Sequence, residues 1–153
     1  MTSVEERLSK KGFTLPEPAA PIASYVAARR AGNMLFISGQ LPFKDGKLIT
    51  GTLGNGVSVE EGQKAAAYCA MMLIAQLKKA LDGDFSRLQA VVRLDGFVAS
   101  TADFQDHPKV INGASDLMEL AFADKGKHAR AAVGSSSLPL GAAVEVAGTF
   151  LVD

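Results

Sequence analysis

Ser58 and Glu61 stand at the S-x-x-E spacing of a helix capping box, and behind them Ala66, Ala70, Leu73, Leu77 and Leu81 recur every three to four positions. Gly83 follows where a left-handed C-cap residue would end such a helix. One long helix with an apolar stripe is therefore predicted just past Val57. Its stripe must lie against another apolar surface, and that requirement shapes every other segment.

A second helix is predicted from about Pro108 to Ala123, with Asp106 as its cap, Pro108 in its first turn, and Val110, Ala114, Leu117 and Ala121 as its stripe. The other regular segments read as strands. Residues Tyr25–Arg30 and Asn33–Ser38 flank a Gly32-Asn33 turn, and the unbroken Met34-Leu35-Phe36-Ile37 run suits a strand covered on both faces. Lys44-Asp45-Gly46-Lys47 marks another tight turn, and residues 51–56 form a glycine-rich loop. Leu88–Ala99 is a long strand with Gly96 as an expected bulge or bend. Ala129–Ser137 and Ala142–Val152 close the chain and could pair as a hairpin. In the last strand Val144, Val146, Phe150 and Val152 share one face, and Ala143, Glu145, Ala147 and Thr149 the other.

The order β-β-(β)-α-β-α-β-β, with no repeat or dividing linker, predicts one α+β domain over residues 1–153, a two-layer sandwich with both helices on one face of a mixed sheet. The opposite face has no helix left to cover it, so a partner subunit is expected there. Residues 1–21 form an N-terminal arm and lead-in: Val4–Lys11 as a short polar helix or frayed arm, then a stretch with prolines at 16, 18 and 21 that forbids regular helix.

Composition narrows the function classes. Apolar residues make up 48% and charged residues 21%, which excludes a disordered chain. Sixteen basic and sixteen acidic residues leave no net charge, whereas nucleic-acid binders usually carry a basic excess. The single cysteine, Cys69, rules out an internal disulfide and reads as a packed thiol. The polar Met1–Lys11 segment lacks a secretory core. The longest apolar run, Ala65–Ala75, is about half of a membrane span, so a cytoplasmic protein is expected.

Two residues carry the chemistry. Arg130 lies among small apolar neighbours in Ala129-Arg130-Ala131-Ala132-Val133, where a guanidinium costs desolvation unless it meets an anion. Its forked donors match a carboxylate, either a substrate's or that of an acidic side chain. Glu145 sits between Val144 and Val146, where a carboxylate could position a water or take its proton. It could equally form a structural salt bridge, with Arg130 as the obvious partner. Ser38-Gly39-Gln40 ends a strand, where glycine permits close backbone approach to a ligand and free amides could bind an anion. Ser38 has no Gly-x-Ser-x-Gly elbow, His107 and His128 lack metal-ligand spacing, and the glycines at 51, 54 and 56 precede no Gly-Lys-Ser/Thr. Serine-hydrolase, zinc and P-loop readings therefore fail.

Read together, these segments resemble the Rid/YjgF family. Asn33-Met34-Leu35-Phe36-Ile37-Ser38-Gly39-Gln40 resembles its G-N-x-(hydrophobic)-S-G-Q strand, and His128-Ala129-Arg130 its P-A-R strand. Residues 137–146 resemble its L-P-x-x-(small)-x-V-E-(hydrophobic) ending, and Asp103-Phe104 with Asn112 its helix start. The resemblance spans roughly residues 22–152. It implies a chorismate-mutase-like fold and a homotrimer whose remaining sheet faces pack in the core, with clefts between subunits. It also implies hydrolysis of 2-imino or 2-enamine acids, such as 2-aminoacrylate, to a 2-keto acid and ammonia without metal or cofactor. On it, Arg130 would clamp the substrate carboxylate and Glu145 would activate water. Ser38, Gly39, Tyr25, Asn112 and His128 would line the pocket. His128 stands where many members have proline and Ala132 where several have cysteine. The arm is longer and extra residues precede Asn112, as in a divergent, longer branch. A carboxylate-binding trimer without catalysis is the competing expectation. An endoribonuclease or translation inhibitor ranks third on the neutral charge.

Overall fold

The computed structural model describes residues 2–153; Met1, the first residue of the expected arm, lies outside them. Ser3 and Glu6 form a capping box that starts α1 (Val4–Ser9). Val4 and Leu8 are buried, Arg7 donates to the Ala121 carbonyl, and Lys78 pairs with Glu5 at 3.0 Å. The expected polar or frayed arm is thus a docked helix. Its two apolar residues, four positions apart, are enough to anchor it.

Strands β1 (Ala28–Ala31) and β2 (Met34–Gln40) turn at Gly32-Asn33 as expected, though β1 starts later and leaves Tyr25 in an irregular stretch. Four two-residue strands, β3 (Phe43–Lys44), β4 (Lys47–Leu48), β5 (Thr52–Leu53) and β6 (Gly56–Val57), pair off outside the main sheet. Helix α2 (Val59–Ala80) begins at the Ser58–Glu61 box, with both reciprocal bonds formed; the left-handed turn that closes it starts at Asp82 (φ +53°), one residue before the expected Gly83 (φ +85°), whose amide donates to the Lys78 carbonyl. It is buried well beyond its predicted stripe, and the lead-in packs along it: Gln76 Nε2 donates to the Ala19 carbonyl at 2.7 Å. Then follow β7 (Leu88–Ala99), α3 (His107–Phe122), β8 (Ala129–Ser135) and β9 (Val144–Val152). Asp106 does not cap α3 with its side chain; its carboxylate pairs instead with Lys109 at 3.6 Å.

The main sheet runs β1-β2-β9-β7-β8, antiparallel except for the parallel β7–β8 pair, so it is mixed. This corrects the expected terminal hairpin. Helix α3 carries the chain from β7 to a parallel neighbour, as a helical crossover does, and β9 then inserts between β2 and β7. Gly96 is neither bulge nor bend. It pairs regularly with Ala132 and Val146, and a Cβ there would come within 2.6 Å of the Ile111 side chain. Glycine at this position lets α3 press onto the sheet. The β7 irregularities lie earlier, at Leu88–Ala90 and Val91–Arg93.

Both long helices cover one face of the sheet, against Leu94, Val98, Val144, Val146 and Phe150. The other face is bare in the single chain. Phe36 and Val133 are 48% and 47% exposed there, so β2 is covered on one side only, contrary to its unbroken apolar run.

Candidate functional site

Between Ile37 and Gln40 the β2–β9 register slips, so that Ser38 and Gly39 together oppose Ala147. Bulges of this kind re-aim side chains near functional sites. Here the bulge lies beside Glu145, which points away from the helices in the same row as Phe97. A Cβ at position 39 would lie 2.9 Å from Glu145 Cδ, so glycine is what allows the carboxyl to lie flat on the backbone. The close approach foreseen at Gly39 is therefore made by Glu145. Ser38 has no free groups to offer an anion: its amide donates to Ala27 O and its hydroxyl to Val26 O at 2.7 Å.

Glu145, Ser38, Gly39 and Tyr25 line one cavity of about 520 Å³, walled by the lead-in at Ala19–Ala23 and by Met72 and Pro139. The lead-in is tied down by a buried amide that sequence reasoning passed over: Gln76 bonds Ala19 and lies 3.5 Å from Gln40. A glutamine inside the otherwise apolar run ending at Leu77 was the available signal. Burial raises the Glu145 carboxyl above its ordinary value. Glu145 is in no ion pair among the described residues. Cys69 is fully buried, and burial, helped by the nearby Glu145 charge, pushes its thiol well up; it is a core residue.

Arg130 is elsewhere. It pairs with Leu94 on β7 and turns to the helix side of the outer strand β8, where Nη1 donates to Ser115 Oγ at 3.0 Å and Nη2 to the Pro108 carbonyl at 3.1 Å. No carboxylate pairs with it among the described residues. The expected proximity of Arg130 and Glu145 does not hold within one chain. β7 lies between their strands, and the two side chains leave opposite faces of the sheet. Asn112 is exposed on α3, between Pro108 and Ser115. His128 bonds Ser115 Oγ and Gly126 O, and Ser115 is the residue of this group that the sequence did not single out. One chain therefore holds two separate clusters: Glu145 with Tyr25, Ser38 and Gly39, and Arg130 with Ser115, His128 and Asn112. Neither contains a group of three metal-ligating side chains among the described residues.

A small-residue strand carrying an unpaired arginine and a bulge-seated carboxylate on a mixed sheet with two helices define the class. The chain belongs to the YjgF/chorismate mutase-like family, described as "putative endoribonuclease", whose model matches residues 5–149. It is similar to Protein TCP17 of Trypanosoma cruzi, at 46% identity over 94% of this chain and 90% of that one. Among solved structures it resembles the protein Atu1372, of unknown function, from Agrobacterium tumefaciens, with 46% identity, a TM-score of 0.93, and 98% of this chain and 92% of that chain covered. A 2-iminobutanoate/2-iminopropanoate deaminase from Dermatophagoides farinae is 23% identical over 94% of this chain and 98% of that protein. The fold is thus the chorismate-mutase-like one expected.

Proposed function

We propose that this protein hydrolyses 2-imino and 2-enamine acids to 2-keto acids and ammonia, in a site completed between two copies of the chain. The observation that carries this is the pairing of complementary but separated groups. Among the described residues Arg130 is held by neutral acceptors, and Glu145 is a half-buried carboxyl with a raised pKa in a cleft. The first suits a substrate carboxylate, the second proton transfer. The deaminase name of the distant relative agrees with this pairing.

The bare sheet face with Phe36 and Val133 is where a second and third copy would pack as a homotrimer. That packing would bring the β8 edge of one protomer to the Glu145 cleft of the next. In the reaction, water adds to C2 of the iminium as one of its protons passes to Glu145. That proton then moves to the amine, and the C–N bond breaks as the hydroxyl proton passes to Glu145 and from there to solvent. Ammonia and the keto acid leave. The iminium carbon is already electrophilic, so orientation and one base suffice.

The test is a coupled assay that generates 2-iminobutanoate in situ and follows 2-ketobutyrate. Wild type should accelerate its formation, and Arg130→Ala should lower kcat/KM by about 100-fold or more. Turnover by Arg130→Ala equal to wild type would discard the deaminase.

A further inference from the structure

We propose that Ser115 and His128 are positioning residues that aim Arg130 through a chain of hydrogen bonds. The proposal rests on Arg130 receiving a carboxylate, as above, and adds which residues prepare it.

The direction of the chain follows from its fixed end. His128 Nδ1 lies 2.6 Å from the Gly126 carbonyl, and a carbonyl oxygen only accepts, so the hydrogen is on Nδ1. In the neutral ring Nε2 is then a lone pair. Ser115 Oγ, 2.9 Å away, donates its hydroxyl hydrogen to it. That leaves the serine oxygen free to accept from Arg130 Nη1, 3.0 Å away. The order Arg130→Ser115→His128→Gly126 thus has one donor and one acceptor at every link. A second anchor, the Pro108 carbonyl, takes a hydrogen from Nη2. Pro108 and Ser115 are seven residues, about two turns, apart along the same side of α3. They hold the guanidinium at both terminal nitrogens.

A guanidinium has five N–H groups. The anchors use one on Nη1 and one on Nη2, leaving Nε–H and one further hydrogen on each terminal nitrogen. Those remaining donors keep the planar fork that captures a carboxylate in two parallel bonds. Because both anchors are uncharged, the full positive charge is left for the ligand. An acidic anchor would have neutralised it. His128 is therefore not a group that touches substrate. It acts through Ser115, and the histidine standing where many family members have proline has a stated use here.

Two measurements test this on the full-length protein. In long-range nitrogen–proton NMR spectra, His128 of the wild type should show the Nδ1–H tautomer, the one free imidazole favours less in water. An Nε2–H ring would overturn the chain. Isothermal titration with 2-ketobutyrate then reads carboxylate binding without turnover. Ser115→Ala and His128→Ala should each raise Kd about 5–10-fold, and the double variant no further, because both break one chain. His128→Gln, whose amide can still accept from Ser115, should stay within about 2-fold of wild type. In the imine assay the alanine variants should raise KM more than they lower kcat. Unchanged Kd in both alanine variants, multiplying effects in the double variant, or no 2-ketobutyrate binding by wild type would each overturn the proposal. The two readings fail separately. Binding that weakens in the variants with no imine turnover removes the deaminase and keeps the chain. Turnover abolished by Arg130→Ala, with Kd and KM indifferent to Ser115 and His128, does the reverse.

Discussion

The two clusters are built by opposite strategies. Around Glu145 the protein creates difficulty for a charge: a half-buried carboxyl, no ion pair among the described residues, and Gly39 leaving room for it to lie on the backbone. Around Arg130 it satisfies the charged group, with two neutral acceptors and a histidine behind one of them, while leaving the charge itself unmet. A raised carboxyl suits a group that must exchange protons. An anchored guanidinium suits one that must not move. The contrast is also spatial: within one chain the sheet stands between Glu145 and Arg130.

The largest effect should come from forcing that separation. Chains carrying Arg130→Ala and chains carrying Glu145→Gln should each be inactive alone. Unfolded together and refolded at equal ratio, they should regain about a quarter of wild-type turnover, since that share of sites between random neighbours combines one intact Arg130 with one intact Glu145. No recovery would mean that both groups act from one chain, and the comparison would collapse.

A smaller effect isolates the cleft. Gly39→Ala places a methyl 2.9 Å from Glu145 Cδ and must displace the carboxyl. We expect kcat to fall about 10-fold with the Kd for 2-ketobutyrate unchanged. A matching loss of keto-acid affinity would mean the two clusters are not independent.

The smallest concerns stability. Because burial raises the Glu145 pKa in the folded state, the folded chain holds that proton more tightly than the unfolded chain does. Its contribution to stability is present at acid pH and is lost as pH rises through the folded value. Glu145→Gln, which never ionises, should therefore melt higher than wild type near neutral pH, by less than about 1 kcal/mol because the carboxyl is still partly solvated. The gap should close below the ordinary carboxylate range. Calorimetric scans at two pH values would show it, and a variant that melts lower at neutral pH would refute the burial cost.

Much of this protein was decided locally and could be read from the chain. The Ser58–Glu61 box, the stripe to Leu81, and the period-two faces of Val144–Val152 depend on neighbours within a few residues, and they stand in the structure as expected. The motif around Arg130 and Glu145 was legible in the same way, as residue types at a separation of fifteen positions. What only the tertiary structure decided was how distant segments meet. Strand β9 prefers the slot between β2 and β7 to pairing with β8. The lead-in lies over α2 through Gln76, and Ser115 reaches Arg130 from a different element. Those contacts depend on strand order and on which face each side chain leaves by. Such choices are made by burying the most apolar surface at once, and no local spacing records them.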